Sequence, residues 1–469
     1  MKKYINIYCI VFFALVVSGC KKQLDALPND ALVEGNSIIN QQTANIALNG
    51  VYYRLANATA TSTNWLPSQI NGGILSGYMA DGNNTTNEET NKLGTTGMSR
   101  EWSLDYTTIN AANGVISGVN KVGDDLFVNG RKQQILAEAR FLRAFAHFKL
   151  LLYFGQWDNI NSNFGVILRK DFITATNYPQ ARAGVKESYD FILDDINYAI
   201  DNGAATSTNI YANKWTAMAL KMRVLLSRGQ NDDYAQCATL GNTIINSGPY
   251  KLENNLKDIF YTKGLTSTEV MLGIQPQPNQ SAYYYNTSGN YVVRSSYYVV
   301  TNAFNTLVAN DPRKTWIVGN AGARNKGFYF IKYVTPTLTT TQISEVGYAF
   351  RLSEIYLMQA EAMVRSAGVS VAAKNLLKTI MGKAGITDFT TVDAAATSDD
   401  LLKQIYYEYV KNFIGEEGIS YWALLRFPLA TVTQLRPTIT DKNQYIFPIP
   451  KEEFINNPLI VDQNPGYSK

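Results

Sequence analysis

The sequence predicts a mainly α protein: a helical-repeat scaffold carrying an irregular, loop-rich face with a few short strands. Two observations lead there. Apolar residues recur three or four apart through residues 36–57, 107–248 and 350–426, the period of helices buried on one side. Between these blocks, residues 58–104 and 250–347 lose the period and fill with Asn, Thr, Ser, Gly and Tyr, the composition of loops and short strands. Irregular stretches of that length exceed mere connectors and are commonly functional. With 469 residues and 46% apolar content, the chain has ample material for a large core.

At the amino terminus, Lys2 and Lys3 precede an apolar run from Ile7 to Val17, and Val17, Ser18 and Gly19 lead into Cys20. A basic start, an apolar run of this length and small residues before a cut are the requirements of a secretory signal. The run is too short to span a bilayer. A cysteine directly after the small pair resembles the bacterial lipobox, which implies removal of residues 1–19, acylation of Cys20 and a durable lipid anchor. Residues 20–34, polar and containing Pro28, read as a tether, and residues 35–469 as a single domain.

Within that domain, Ile38, Ile39, Ala44, Ile46, Ala47, Val51 and Leu55 space the first helix. In residues 133–153, Ala137, Ala139, Ala144 and Ala146 allow close helix approach while Phe141, Phe145 and Phe148 fill the gaps. Tyr189, Ile192, Ile196 and Ile200 set a helix over 186–201, and helices over 213–228 and 233–246 stop at Gly229 and Gly248. The Ala-x3-Phe elements Ala137/Phe141 and Ala144/Phe148 make the scaffold tetratricopeptide-like. Helices resume over 350–367, 371–384 and 399–415. Trp316, after Asp311-Pro312-Arg313, reads as a strand residue, and the Pro-rich segment 435–469 as a tail packed across the helices.

Composition narrows the chemistry. Net charge is +4, or +2 once Lys2 and Lys3 leave, with no basic stripe to neutralise phosphates, which argues against nucleic acid. Cys9 leaves with the signal and Cys20 is acylated, so Cys237 has no disulfide partner. The single histidine, His147, lies in a helical run and reads as packing, which argues against a His-based zinc site or a Ser-His-Asp triad. Arg140 and Arg143, with Glu138, sit on an otherwise apolar helix and read as packing anchors.

Four segments together resemble the SusD/RagB family, the cell-surface nutrient-binding lipoproteins of Bacteroidetes. They are Cys20 to Asp25 with Pro28; Ala137 to Ala144 (AEARFLRA) running into Tyr153 to Gln156; Phe350 to Ala362 (FRLSEIYLMQAEA); and Phe447 to Glu453 with Asn457-Pro458 and Gln463 to Tyr467. They stand in the family's order over almost the whole chain. One segment departs from the pattern: Glu417 to Arg426 reads EGISYWALLR, with Ser420 and Ala423 where the family carries charge.

The resemblance implies a SusD-like scaffold that binds oligosaccharide or another nutrient, without catalysis, cofactor or metal, beside a SusC-like TonB-dependent transporter in the outer membrane, facing the cell exterior. Pyranose rings pack their C–H faces on aromatic side chains while a few polar groups satisfy hydroxyls. The aromatics of the two irregular segments are therefore the candidate platforms: Trp65, Tyr78 and Trp102 in the first, Tyr284, Tyr285, Tyr291 and Tyr298 in the second, with Asn71, Asp81 and Asn83 as hydrogen-bonding groups. A glycoside hydrolase would need two carboxylates flanking a cleft. Asp81, Glu88, Glu89 and Asp105 are available, but no catalytic motif surrounds them. A helical-repeat module that holds a partner protein is the other alternative.

Overall fold

Among the described residues, the first half of the fold is α1 (Gln41–Ala56), α2 (Trp65–Leu75), α3 (Ser99–Asn120), α4 (Arg131–Phe154), α5 (Val185–Asn202), α6 (Lys214–Arg228) and α7 (Asp233–Ser247). The computed structural model describes residues 37–56, 65–82, 85–94, 98–274, 298–321, 327–333 and 346–469, without the side chains of 65–68 and 321. From α3 onward each of these helices packs on the next, and α1 lies against α3 and α4. This is the tetratricopeptide-like stack that the Ala and Phe spacing predicts. Helix α4 is its spine, with Ile135 to Phe154 buried apart from Arg140. A helix that is apolar nearly all round belongs in an interior.

The charged residues on α4 are partnered. Arg143 grips Asp195 of α5 with two bonds, Nε to Oδ2 at 2.7 Å and Nη2 to Oδ1 at 2.8 Å. Glu138 accepts from Arg131 Nη1 at 2.7 Å and from the Tyr52 hydroxyl at 2.8 Å. His147 is fully buried; its Nδ1 lies 2.9 Å from the Arg143 carbonyl and its Nε2 accepts from the Arg169 amide at 3.3 Å. That network fixes a neutral imidazole protonated on Nδ1.

The second half adds α8 (Asn302–Leu307), α9 (Lys314–Ile317), α10 (Leu352–Ala367), α11 (Val371–Lys383), α12 (Thr390–Ala394), α13 (Ser398–Phe413), α14 (Ile419–Leu425), α15 (Leu429–Leu435) and α16 (Lys451–Asn456). Helix α10 closes the stack against α7 and carries α11 and α13 on its other sides. Among the described residues, six short strands, β1 (Met79–Asp81), β2 (Val270–Ile274), β3 (Tyr298–Val300), β4 (Val318–Ala321), β5 (Phe328–Phe330) and β6 (Gly347–Arg351), make two antiparallel sheets, ordered β1-β3-β5-β4 and β2-β6.

Several boundaries differ from the sequence reading, each for a local reason. Residues 65–75, expected as loop, form α2, because Ile70 and Ile74 recur four apart on one buried side. Gly72 disguises it. A Cβ there would stand 2.2 Å from the Gly418 Cα, so glycine is required by a close backbone crossing rather than by a turn. Helix α3 starts at Ser99, eight residues before the expected 107. Phe350 and Arg351 lie in β6 instead of opening the helix, since the wholly buried run Gly347–Arg351 pairs with β2 and period alone does not separate a buried strand from a buried helix. Trp316 is helical: the Asp311-Pro312-Arg313 turn winds on so that the Ile317 amide bonds the Arg313 carbonyl at 3.0 Å, and the indole stacks on Phe260 at 5.8 Å.

Ser420 and Ala423 leave the interior charged all the same. Arg426 takes its partner from α10, donating Nε to Glu361 Oε1 at 2.8 Å and Nη2 to Oε2 at 2.6 Å. The Pro-rich tail bonds to the end of α4. The Phe447 amide bonds the Tyr153 carbonyl at 2.6 Å, and Asn464 Nδ2 bonds the carbonyl of Phe154 at 2.9 Å. These tie the tail to the carboxy-terminal end of α4, whose last carbonyls have no helical partner of their own.

Candidate functional site

The two irregular segments meet. Strand β1, from the first, pairs with β3, from the second, in the register Met79↔Val300, Ala80↔Val299 and Asp81↔Tyr298. Loop contacts extend the junction: the Thr301 amide bonds the Tyr78 carbonyl at 3.0 Å, and Thr301 Oγ1 donates to the Gly77 carbonyl at 2.9 Å. Because directly opposed residues share a sheet face, Asp81 and Tyr298 stand side by side, both partly exposed. Two candidates more than 200 residues apart thus become neighbours.

The base of this face is rigid. The Asp81 amide donates to Glu89 Oε1 at 3.0 Å. Arg436 from the far end of the chain donates Nε to the Leu75 carbonyl and to Asn91 Oδ1, each at 3.1 Å, and Nη2 to the Glu89 carbonyl. Asn91, with φ of 53°, is held further by Thr438 Oγ1 at 2.7 Å and by Gln444 Nε2, which bonds its carbonyl at 3.1 Å. Glu89 and Asn91 are thereby clamped to the segment around Arg436.

The other candidates divide. Tyr78 is partly buried, edge-on to Phe304 at 6.3 Å, and burial pushes its hydroxyl up to about 12. Asn71 lies on α2 with its amide 2.9 Å from the Met98 sulfur. Trp65 begins α2, with its side chain outside the described residues. Asn83, Tyr284, Tyr285 and Tyr291 fall outside them too, as do Cys20 and the tether. Trp102 is a correction. It is 3% exposed, edge-on to Tyr106 at 4.8 Å and Phe154 at 5.0 Å, and its Nε1 donates to Glu453 Oε2 at 2.7 Å. Helix α3 begins three residues earlier and turns this indole inward, so it offers no face for a sugar ring. Tyr329 of β5 is partly exposed too, but it pairs with Val299, so it lies on the opposite face of the sheet from Asp81 and Tyr298.

Of the carboxylates named from the sequence, Glu89 accepts from the Asp81 amide. Asp105 is buried and raised to about 7, burial outweighing Lys149, whose Nζ stands 3.6 Å away. A small interior cavity of about 40 Å³ is lined by Lys149, Glu354, Glu417, Tyr409 and Trp422. That volume admits a few waters, not a sugar ring. Among the described residues, no group of His, Cys, Asp and Glu side chains is placed to hold a metal, and no helix is long and apolar enough to cross a membrane.

Comparison with known proteins agrees with this architecture. Residues 22–226 match the family described as "Starch-binding associating with outer membrane", and residues 282–439 match the SusD family. A SusD-like protein of Bacteroides ovatus is 28% identical over 199 residues, a match that takes in 40% of this chain and 35% of that one. SusD-like protein P2 of Formosa agariphila is 22% identical over the full length of both chains. Among solved structures, a laminarin-binding SusD-like protein superposes with a TM-score of 0.72 at 20% identity, covering 92% of this chain and all of the other. The fold and both matched segments make this chain a member of the SusD/RagB family.

Proposed function

We propose that this protein is a non-catalytic, cell-surface binding lipoprotein that captures oligosaccharide at the face built on β1 and β3 and delivers it to a SusC-like TonB-dependent transporter. The observation that carries the reading is the in-register pairing of Asp81 with Tyr298. It sets a hydrogen-bonding carboxylate beside an aromatic ring, the minimum needed to fix the hydroxyls and the C–H face of one pyranose. The starch-binding description of the matched family and the laminarin-binding neighbour support sugar as the ligand. Trp65, Asn71, Tyr78, Asn83, Tyr284, Tyr285 and Tyr291 are the further candidates for ligand contact that the sequence names. Acylated Cys20 is the anchor that holds the domain on the outer membrane, with residues 20–34 as its leash.

A glycan array probed with the protein carrying Cys20→Ala tests this. The expected result is retention of at least one glucan class with no product released, and a loss of about tenfold in affinity for Tyr298→Ala, the scale of one stacked ring with its hydrogen bonds. Unchanged affinity in both Tyr298→Ala and Asp81→Ala would remove the face from the site, and sustained release of shorter glycans would replace capture by hydrolysis.

A further inference from the structure

A second pocket lies outside this face, in the segment that joins α4 to α5. It is lined by Leu168, Arg169, Lys170, Asp171, Ile173, Asn177 and Gln180 and measures about 170 Å³. That far exceeds the roughly 10–15 Å³ one water needs, yet falls below the roughly 300 Å³ at which sites for whole drug-sized ligands begin. Its size suits one small group.

Arg169 gives the pocket its chemistry. The residue is 4% exposed, and its side-chain hydrogen bonds among the described residues both come from Nη1, to the Asn177 carbonyl at 3.1 Å and to Gln180 Oε1 at 3.2 Å. Both acceptors are neutral and belong to residues lining the pocket. Tyr178 covers one side, its ring centre 5.3 Å from the guanidinium. The nearby carboxylate of Glu453 is engaged elsewhere, accepting from Trp102 Nε1 at 2.7 Å and from the Tyr178 hydroxyl at 3.0 Å. A cation buried without an ion-pair partner is costly, and burial accordingly pulls Arg169 below the usual guanidinium range.

The walls are fixed in advance. Asn113 Nδ2 bonds the carbonyls of Arg169 at 3.0 Å and Asp171 at 2.9 Å, and Arg143 Nη1 bonds that of Lys170 at 3.1 Å. Asn177 closes the turn, taking the Thr174 amide on Oδ1 at 2.7 Å and giving Nδ2 to the Phe172 carbonyl at 2.9 Å. On the rim, Lys170 adds a positive charge, loosely offset by Glu187 at 3.8 Å, and Asp171 a negative one. A preorganised pocket with a buried guanidinium in its wall has the donors for a planar or tetrahedral anion.

We infer that this pocket is an anion subsite that takes the charged substituent of an acidic sugar, a uronic carboxylate or a sulfate ester. Arg169 supplies the charge-assisted hydrogen bonds, Lys170 adds attraction at the mouth, and Asp171 weakens binding from the rim. The site is independent of the β1–β3 face.

Isothermal titration of the full chain in detergent with glucuronate, glucose 6-sulfate and glucose tests the inference. The expected result is binding of one or both anions with glucose inert, the anion that binds identifying the substituent. Arg169→Gln should weaken binding by about tenfold, the loss of one hydrogen bond to a charged group. Asp171→Asn, on the exposed rim, should tighten it by about twofold to threefold, the scale of a solvent-screened charge. Tyr298→Ala should leave it unchanged. The inference is overturned if neither anion binds at millimolar concentration, if glucose binds as well as they do, or if Asp171→Asn has no effect; the last holds even should Arg169→Gln fail to fold.

Discussion

Around Glu416, charges are locked inside the protein; at the β1–β3 junction, backbone ladders and partly exposed side chains do the joining. Arg351 donates Nε to Glu416 Oε2 at 2.7 Å, Nη1 to Glu269 Oε1 at 2.8 Å and Nη2 to Asn412 Oδ1 at 2.9 Å. Lys332 adds bonds to Glu416 and to the carbonyls of Asn412 at 2.8 Å and Ile414 at 3.0 Å. Nearby, Arg313 is clamped between Asp311 and Glu408. Every one of these side chains is less than a tenth exposed. Asp81 and Tyr298, by contrast, are partly exposed and sit on strands of three residues each. The difference separates residues that the fold fixes from residues that it leaves free to vary. An interior web of compensating charges tolerates no loss, whereas a face joined through backbone bonds can exchange its side chains.

The largest effect should come from breaking the web. Arg351→Ala leaves Glu416 buried with Lys332 and Glu269 buried without its guanidinium, and should cost about 3–5 kcal/mol in urea denaturation. A loss below about 1 kcal/mol, the value of an exposed pair, would erase the contrast.

Acid should act next. Burial first, then Arg143, holds His147 down to about 3 against an ordinary 6.5. The unfolded chain therefore takes the proton first, and stability is lost as pH falls from 6.5 towards 3, by about 1.4 kcal/mol per unit. Asp105, raised to about 7, works in the opposite sense between 7 and 3.8, so the informative quantity is the gap between wild type and His147→Gln. That gap should shift in the variant's favour on acidification, read as urea midpoints from pH 7 to pH 4.

Gly72 tests where the boundary between the two regions runs. Gly72→Ala should cost about 1–3 kcal/mol, because a methyl group collides with backbone rather than with a movable side chain. A neutral result would assign α2 to the tolerant face. Smallest of all, Tyr298→Ala and Asp81→Ala should shift stability by about 1 kcal/mol or less while changing glycan retention.

Much of the scaffold was legible because its signals are local. Tyr189, Ile192 and Ile196 announce α5, and Gly229 ends α6 in the left-handed conformation, its amide capping the Leu225 carbonyl at 2.9 Å. The face was legible only in outline. Asp81 and Tyr298 were selected for residue type, and nothing in the spacing of residues so distant along the chain announces that they pair. Trp102 misled because an indole in a polar stretch looks the same whether its helix turns it outward or inward. Arg169 passed unnoticed, since one arginine in a loop has no period or motif to mark it.

By itself, then, the sequence determined what is repetitive or contiguous: the helical stack, its stop signals, the lipobox-like start and the family motifs, each written within a few residues of itself. Tertiary structure decided which distant residues meet. It paired β1 with β3, turned Trp102 into the core, gave Arg426 a partner on another helix and left Arg169 buried among neutral acceptors. Those outcomes depend on how whole elements pack, and packing sums weak contacts over the entire interior rather than over any window of the chain.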